Sequence, residues 1–233
     1  MRLGSLGTGP SSGMAVHSTL GPGRYRVTEL GDSPDGQVAR TMRRMGELAT
    51  EDAADPIFQA FANRTYAGID PSDKQAIIDR AFETVRGAIH FQRDEVSGAG
   101  LGDVAPADLV EFIVRPVDMC RYIDSGIAIG DCDDFSMLIS ALLATRGIPT
   151  KFCTVAAEES APDQFSHVYC VAYCDGQRIP LDSSHGEYPG WEVDQYRPVY
   201  RKTEWAADGG CPLVTLALVG AAAYFGWKAL KAA

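Results

Sequence analysis

Apolar residues recur at alternating steps of four and three over residues 38–49. Val38, Met42, Met45 and Ala49 fall on one stripe of an amphipathic helix. Asp55-Pro56, a capping residue followed by a first-turn proline, predicts a short helix carrying Ile57, Phe58 and Phe61. The helical period returns in Ile78, Phe82, Val85 and Ile89. Ser72 and Gln75 have capping-box spacing with Asp73 in the first turn, so a helix is expected from Ser72 to about Gln92. Gly98 to Gly102 reads as loop. The strongest helical pattern spans Gly130 to Gly147, with Phe135, Leu138, Ile139, Leu142 and Leu143 on one face. Gly147 stands where a left-handed cap is expected, and Pro149 blocks continuation.

Beyond Pro149 the period changes to two. Lys151 to Val155, Ser166 to Cys174 and Arg178 to Asp182 read as strands, the last two joined by Asp175-Gly176, a strong signal for a two-residue hairpin turn. If those two residues form the turn, Cys174 faces Gln177 and Asp182 comes opposite Tyr169. Asp182 is then one diagonal step from His167, and all three share a face of the sheet. Diagonal neighbours lie about 7 Å apart at Cα, within reach of a carboxylate–imidazole contact. The same register sends Cys170 and Cys174 to the opposite face as core residues. It places His185 opposite Ser166, facing away from His167.

Composition divides the chain of 233 residues into three parts. Residues 1–36 read as a flexible Gly/Ser/Pro-rich arm. Residues 37–205 form one domain, helical over 37–147 and sheet over 150–205. Residues 206–233 read as an apolar C-terminal helix. Pro212 to Leu230 is mainly apolar and ends in Trp227-Lys228, so residues 212–230 are a candidate contact with a membrane or a partner protein. The net charge of −10 argues against nucleic acid as a partner. No signal-peptide pattern follows Met1. The expected setting is cytoplasmic or virion-associated, with membrane anchoring at the C-terminus as an option. The six cysteines include no CxxC pair, no D-x-D-x-D-G loop is present, and neither a metal nor another cofactor is expected.

Cys132 opens the strongest helix, where backbone N–H groups and the helix dipole favour a thiolate. Its neighbours Asp131, Asp133 and Asp134 oppose that charge, and they also suit the cap and first turn. With His167 as base and Asp182 as its orienting carboxylate, the set has the composition of a nucleophilic triad. A buried inert cysteine beside a structural His167–Asp182 ion pair is the competing reading.

Gly130-Asp-Cys132-Asp-Asp-Phe, Leu142-Leu-Ala-Thr-Arg-Gly-Ile-Pro149, Ser166-His-Val-Tyr169 and Arg178-Ile-Pro-Leu-Asp182 together resemble the transglutaminase-like superfamily. Ala88-Ile-His-Phe-Gln-Arg-Asp94 and Arg115-Pro-Val-Asp118 look like the segment that precedes its cysteine. The similarity covers about residues 70–195. It is nearest to the short versions found in bacteria and in phage or prophage genomes, where Gly-Asp-Cys-Asp-Asp recurs. The resemblance implies a papain-like α+β fold, with the Cys-bearing helix packed on an antiparallel sheet. It implies thioester chemistry on a peptide or carboxamide bond, with a protein or peptide as substrate. Cys132, His167 and Asp182 would be catalytic, and Asp131, Asp133 and Tyr169 would bind substrate or support them. Tyr169 stands where many members have Trp. The alternative is a catalytically inactive structural or interaction module, for example in a virion or a membrane complex.

Overall fold

The computed structural model describes residues 13–17, 26–31, 33–92 and 111–207. The Gly98 to Gly102 loop and the apolar segment 212–230 lie outside the described residues. Among those described, no helix is long and apolar enough to cross a membrane.

Among the described residues, five helices precede the main sheet. Helix α1 (Pro34–Ala53) starts from Ser33, whose hydroxyl accepts from Gly36 N at 3.2 Å, and its predicted stripe of Val38, Met42, Met45 and Ala49 is buried. Helix α2 (Pro56–Thr65) is capped by Asp55, which accepts from Ile57 N at 2.7 Å. Phe58 and Phe61 are buried there and Ile57 is exposed. Helix α3 (Lys74–Ala88) is shorter than its periodicity suggests. Ser72 does not cap it, because Asp70 takes both the Ser72 N–H and hydroxyl at 2.8 Å. Asp73 caps instead, accepting from Ala76 N at 3.0 Å. At the other end the backbone turns extended at Ile89. His90 and Gln92 donate their N–H groups to Ala128 and Gly130, so β3 (His90–Phe91) pairs in parallel with β5 (Ile129–Gly130).

Helix α4 (Pro116–Asp124) is tied to α1 by the buried Asp52, which accepts from Arg115 Nε at 3.2 Å and from Val117 N at 3.0 Å. Helix α5 (Cys132–Ala144) is buried on every face from Cys132 to Leu143, not only along its apolar stripe. It contacts α1, α3 and α4 as well as the sheet. Helix-capping geometry decides its start. Asp131 accepts from Asp133 N at 3.2 Å, and Asp134 reaches back to Asp131 N at 3.4 Å, a reciprocal capping box. Gly130 makes room for this: a Cβ there would stand 2.6 Å from Asp134 Oδ2. Beyond the helix, Gly147 has φ 68°, the left-handed residue its position predicts.

The main sheet is antiparallel, in the order β8-β7-β6-β9, with β6 (Thr150–Ala156), β7 (His167–Cys174), β8 (Gln177–Leu181) and β9 (Arg201–Ala206). The β7–β8 register pairs Cys174 with Gln177 and Cys170 with Leu181, as the two-residue turn requires. Asp175 and Gly176 have φ of 51° and 77°, the paired left-handed residues of a turn matched to strand twist. Phe152, Val168, Cys170 and Leu181 are buried among the helix residues, on the α5 side of the sheet. Cys153, Val155, Tyr169 and Val171 form a second apolar layer on the other face with Val193. Fold class is thus α+β, with the Cys132 helix against an antiparallel sheet.

A further three-stranded sheet lies within and beyond the segment read as an arm. There β1 (Gly13–His17) pairs antiparallel with β2 (Arg26–Gly31) and parallel with β4 (Glu111–Ile113). The pairing of β1 with a strand about 95 residues away is a non-local ladder that Gly- and Ser-rich composition does not report.

Candidate active site

His167 is the first residue of β7, and Asp182 follows the last residue of β8. Strand register brings the two side chains to one face and into direct contact: His167 Nε2 lies 2.7 Å from Asp182 Oδ2, and both side chains are almost fully buried. Burial works strongly against charge on Asp182, yet His167, His185 and the Ser184 hydroxyl together hold its carboxyl below the usual range. The other carboxylate oxygen is equally engaged. Asp182 Oδ1 accepts from Ser184 Oγ at 3.0 Å and from His185 N at 3.2 Å. His167 Nδ1, by contrast, is buried and has no hydrogen-bond partner among the described residues.

The chain does not continue as a strand past Asp182. Its carbonyl accepts from Gly186 N at 2.6 Å and closes a turn over residues 182–186. A side chain at Gly186 would collide with that carbonyl and with Trp191. Arg86 of α3 donates to the Gly186 carbonyl and pins the turn to the helices. The turn overturns one expectation. Register extended from the hairpin points His185 away from His167, but the two rings meet edge to face, with centroids 4.6 Å apart and planes at 73°.

Cys132 is the first residue of α5 and 4% exposed. It belongs to the same apolar cluster as Phe165 and Val168, which bracket His167 in the sequence. One turn further on, Ser136 Oγ bonds to the Cys132 carbonyl at 2.6 Å and to the Val168 carbonyl at 3.3 Å, fixing the start of α5 against the start of β7. A chain of rings makes a second link, from Phe135 in α5 through Phe91 to His185 and on to His167.

Asp131 and Asp133 are buried at the helix start. Asp131 acts as the cap, and Asp133 Oδ1 accepts from Asp134 N at 2.7 Å. Asp134 accepts from Val114 N at 2.7 Å, and burial together with the Asp131 carboxylate pushes its carboxyl well above the usual range. Tyr169 stands beside His167, ring centroids 5.9 Å apart, and its buried hydroxyl donates to Glu192 Oε1 at 2.6 Å. Burial foremost, then Cys153 and Glu192, raises its phenol far above the ordinary value.

Glu192 is the residue that sequence reasoning missed. Besides Tyr169 it accepts from Arg178 Nη2 at 2.7 Å and Lys202 Nζ at 3.0 Å, joining β7, β8 and β9 behind His167. Burial opposes its charge, and these three donors overcome that and lower its pKa. Nothing local in the sequence marks Glu192, because its partners come from three strands.

Two groups could be considered for a metal: His167, Asp182 and His185, and Asp131, Asp133 and Asp134, each with ligand atoms within 4.8 Å of one another. In the first, His167 and Asp182 touch at hydrogen-bond distance. Two ligands sharing an ion at bonds of about 2.05 Å in a tetrahedron stand about 3.3 Å apart. In the second, the carboxylates accept from backbone N–H groups at the start of α5 and from Val114 N.

No protein-family model matches the chain, and no curated protein matches it. Among solved structures, a candidate cysteine protease from Cytophaga hutchinsonii is similar, with 21% sequence identity over 64% of this chain and a TM-score of 0.37. The match covers 43% of that protein, so the chain spans less than half of its length.

Proposed function

We propose that the chain is a transglutaminase-like cysteine hydrolase or acyltransferase acting on peptide or carboxamide bonds. The observation that carries this reading is the asymmetry of His167. Asp182 holds Nε2, while Nδ1 is buried without a hydrogen-bond partner on a residue at the α5 end of β7. A structural ion pair does not require that second nitrogen, and leaving it unsatisfied costs about 1–3 kcal/mol. A general base needs that arrangement.

In this mechanism Nδ1 takes the Cys132 thiol proton as sulfur bonds to the carbonyl carbon of the substrate. Asp182 stabilises the imidazolium, and the Cys132 backbone N–H is the proposed donor to the developing oxyanion, since those of Asp131, Asp133 and Asp134 serve the cap carboxylates. The C–N bond then breaks, Nδ1 returns its proton to the leaving amine, and a thioester remains on Cys132. Water or a second amine attacks that thioester, giving hydrolysis or transfer. A protein or peptide is the proposed substrate, a phage or virion setting follows the motif resemblance, and residues 212–230 are proposed to contact a membrane or partner.

Alkylation with iodoacetamide tests the reading. Cys132 should react at neutral pH in the native protein and lose that reactivity in His167→Ala. An unreactive Cys132 overturns the enzyme and favours the structural module.

A further inference from the structure

The hydrogen bond that His167 Nε2 donates to Asp182 fixes one end of the imidazole but leaves its plane free to swing about that bond. The χ2 torsion of histidine is broad and gives little resistance. Two rings close off this freedom. Tyr169 lies on one side at 5.9 Å with planes 34° apart, and His185 stands at 73° on another at 4.6 Å.

His185 is itself well held. Its backbone N–H and the Ser184 hydroxyl both bond to Asp182 Oδ1, and its Nδ1 lies 2.9 Å from Ser184 Oγ. Its ring packs at 73° against Phe91, which touches Phe135 in the first turn of α5. The wall is therefore referenced to the helix that carries Cys132. Its side chain is 12% exposed whereas Asp182 is fully buried, and its Nδ1 lies 3.9 Å from Asp182 Oδ1.

We propose that His185 is a positioning residue for the His167–Asp182 pair: its ring fixes the plane of His167 and keeps water from the Nε2–Oδ2 hydrogen bond. The consequence for chemistry rests on His167 serving as the base, as proposed above. The positioning itself does not. An edge-to-face ring supplies this restraint without a charge, so a phenyl group in the same place should do much of the work.

The test compares full-length wild type with His185→Phe, His185→Ala and His185→Leu. Proton NMR on ¹⁵N-His-labelled protein reports exchange of the His167 Nε2–H, and iodoacetamide reports Cys132 reactivity. His185→Phe should keep the slowly exchanging proton and an alkylation rate within about threefold of wild type, whereas His185→Ala should lose both, with alkylation slowed roughly tenfold or more. His185→Leu keeps bulk without a flat ring and should follow His185→Ala, which decides the matter if the alanine variant does not fold. Retention of both signals in His185→Ala or His185→Leu overturns the proposal. So does a loss in His185→Phe as large as in His185→Leu. If Cys132 is unreactive even in wild type while the His167 proton depends on the residue 185 ring, the enzymatic reading fails and the positioning role stands.

Discussion

Asp182→Asn leaves the shape of the site unchanged and should switch it off through a tautomer. The asparagine can place only one oxygen, and the structure decides where it goes. At the Oδ1 position two donors wait, Ser184 Oγ at 3.0 Å and His185 N at 3.2 Å, whereas the Oδ2 position faces only His167 Nε2 at 2.7 Å. The oxygen therefore stays with the turn, and the amide NH₂ faces Nε2. To accept from that NH₂, His167 must carry its own proton on Nδ1, the atom proposed to receive the thiol proton. The charge-assisted bond that stabilised imidazolium also disappears, a loss of about 2–3 kcal/mol. At 1.36 kcal/mol per decade this corresponds to a roughly 30- to 150-fold slower alkylation of Cys132 at pH 7. Turnover, which also needs the proton to move, should fall by about 10³- to 10⁴-fold, the scale seen when a triad carboxylate is replaced by its amide. Native stability should fall by about 1–3 kcal/mol, because the shifted Nδ1–H and the second amide N–H meet no acceptor. Second-order alkylation rates by mass spectrometry, with denaturant unfolding of both proteins, measure the two effects. Alkylation of the variant at the wild-type rate, with its fold intact, would refute the orienting role of Asp182.

Other expected outcomes separate scaffold from chemistry. Tyr169→Phe removes one of three donors to Glu192 and should cost about 1 kcal/mol in urea unfolding, leaving Cys132 alkylation within a few-fold of wild type. Asp182 has a folded pKa below its unfolded value, so its stabilising contribution is complete above the unfolded value near 3.9 and is lost as pH falls through the folded value. Unfolding free energies compared below about pH 4 should accordingly show the wild type losing more stability than Asp182→Asn. Parallel curves down to pH 2 would contradict the shift. Gly130→Ala puts a methyl group 2.6 Å from Asp134 Oδ2 and should cost about 1–3 kcal/mol by breaking the capping box, read as a lower thermal midpoint.

The parts of the site legible in the sequence are those governed by parity. A two-residue turn at Asp175-Gly176 leaves one choice of face for each later residue, and Asp182 follows from it without knowledge of the tertiary structure. The same arithmetic failed three residues later. Asp182, Ser184 and Gly186 close a turn through side-chain and backbone bonds, so His185 leaves the register and comes back to His167. The run Asp-Ser-Ser-His-Gly is rich in turn formers and could have signalled this. At Ser72 a capping motif was outcompeted by a carboxylate two residues upstream, a local rivalry that spacing rules do not rank. Strand β9 carries an exposed Lys202 and a half-buried Glu204, paired with Glu192 and Arg178 of other segments, so its hydropathy shows no alternation. Burial of α5 on all sides is likewise a property of what surrounds it, since its own stripe predicts only one covered face.

That enclosure sets where this molecule can change over evolutionary time. A helix packed against three others and a sheet has no side on which a new residue can be tried without disturbing a neighbour. Tolerated change should therefore gather in surface segments such as the one after Asp182, where Tyr188, Tyr196 and Tyr200 face solvent. Replacements at those three tyrosines should leave Cys132 to Leu143 undisturbed, an arrangement in which the centre is inherited and the margin is negotiable.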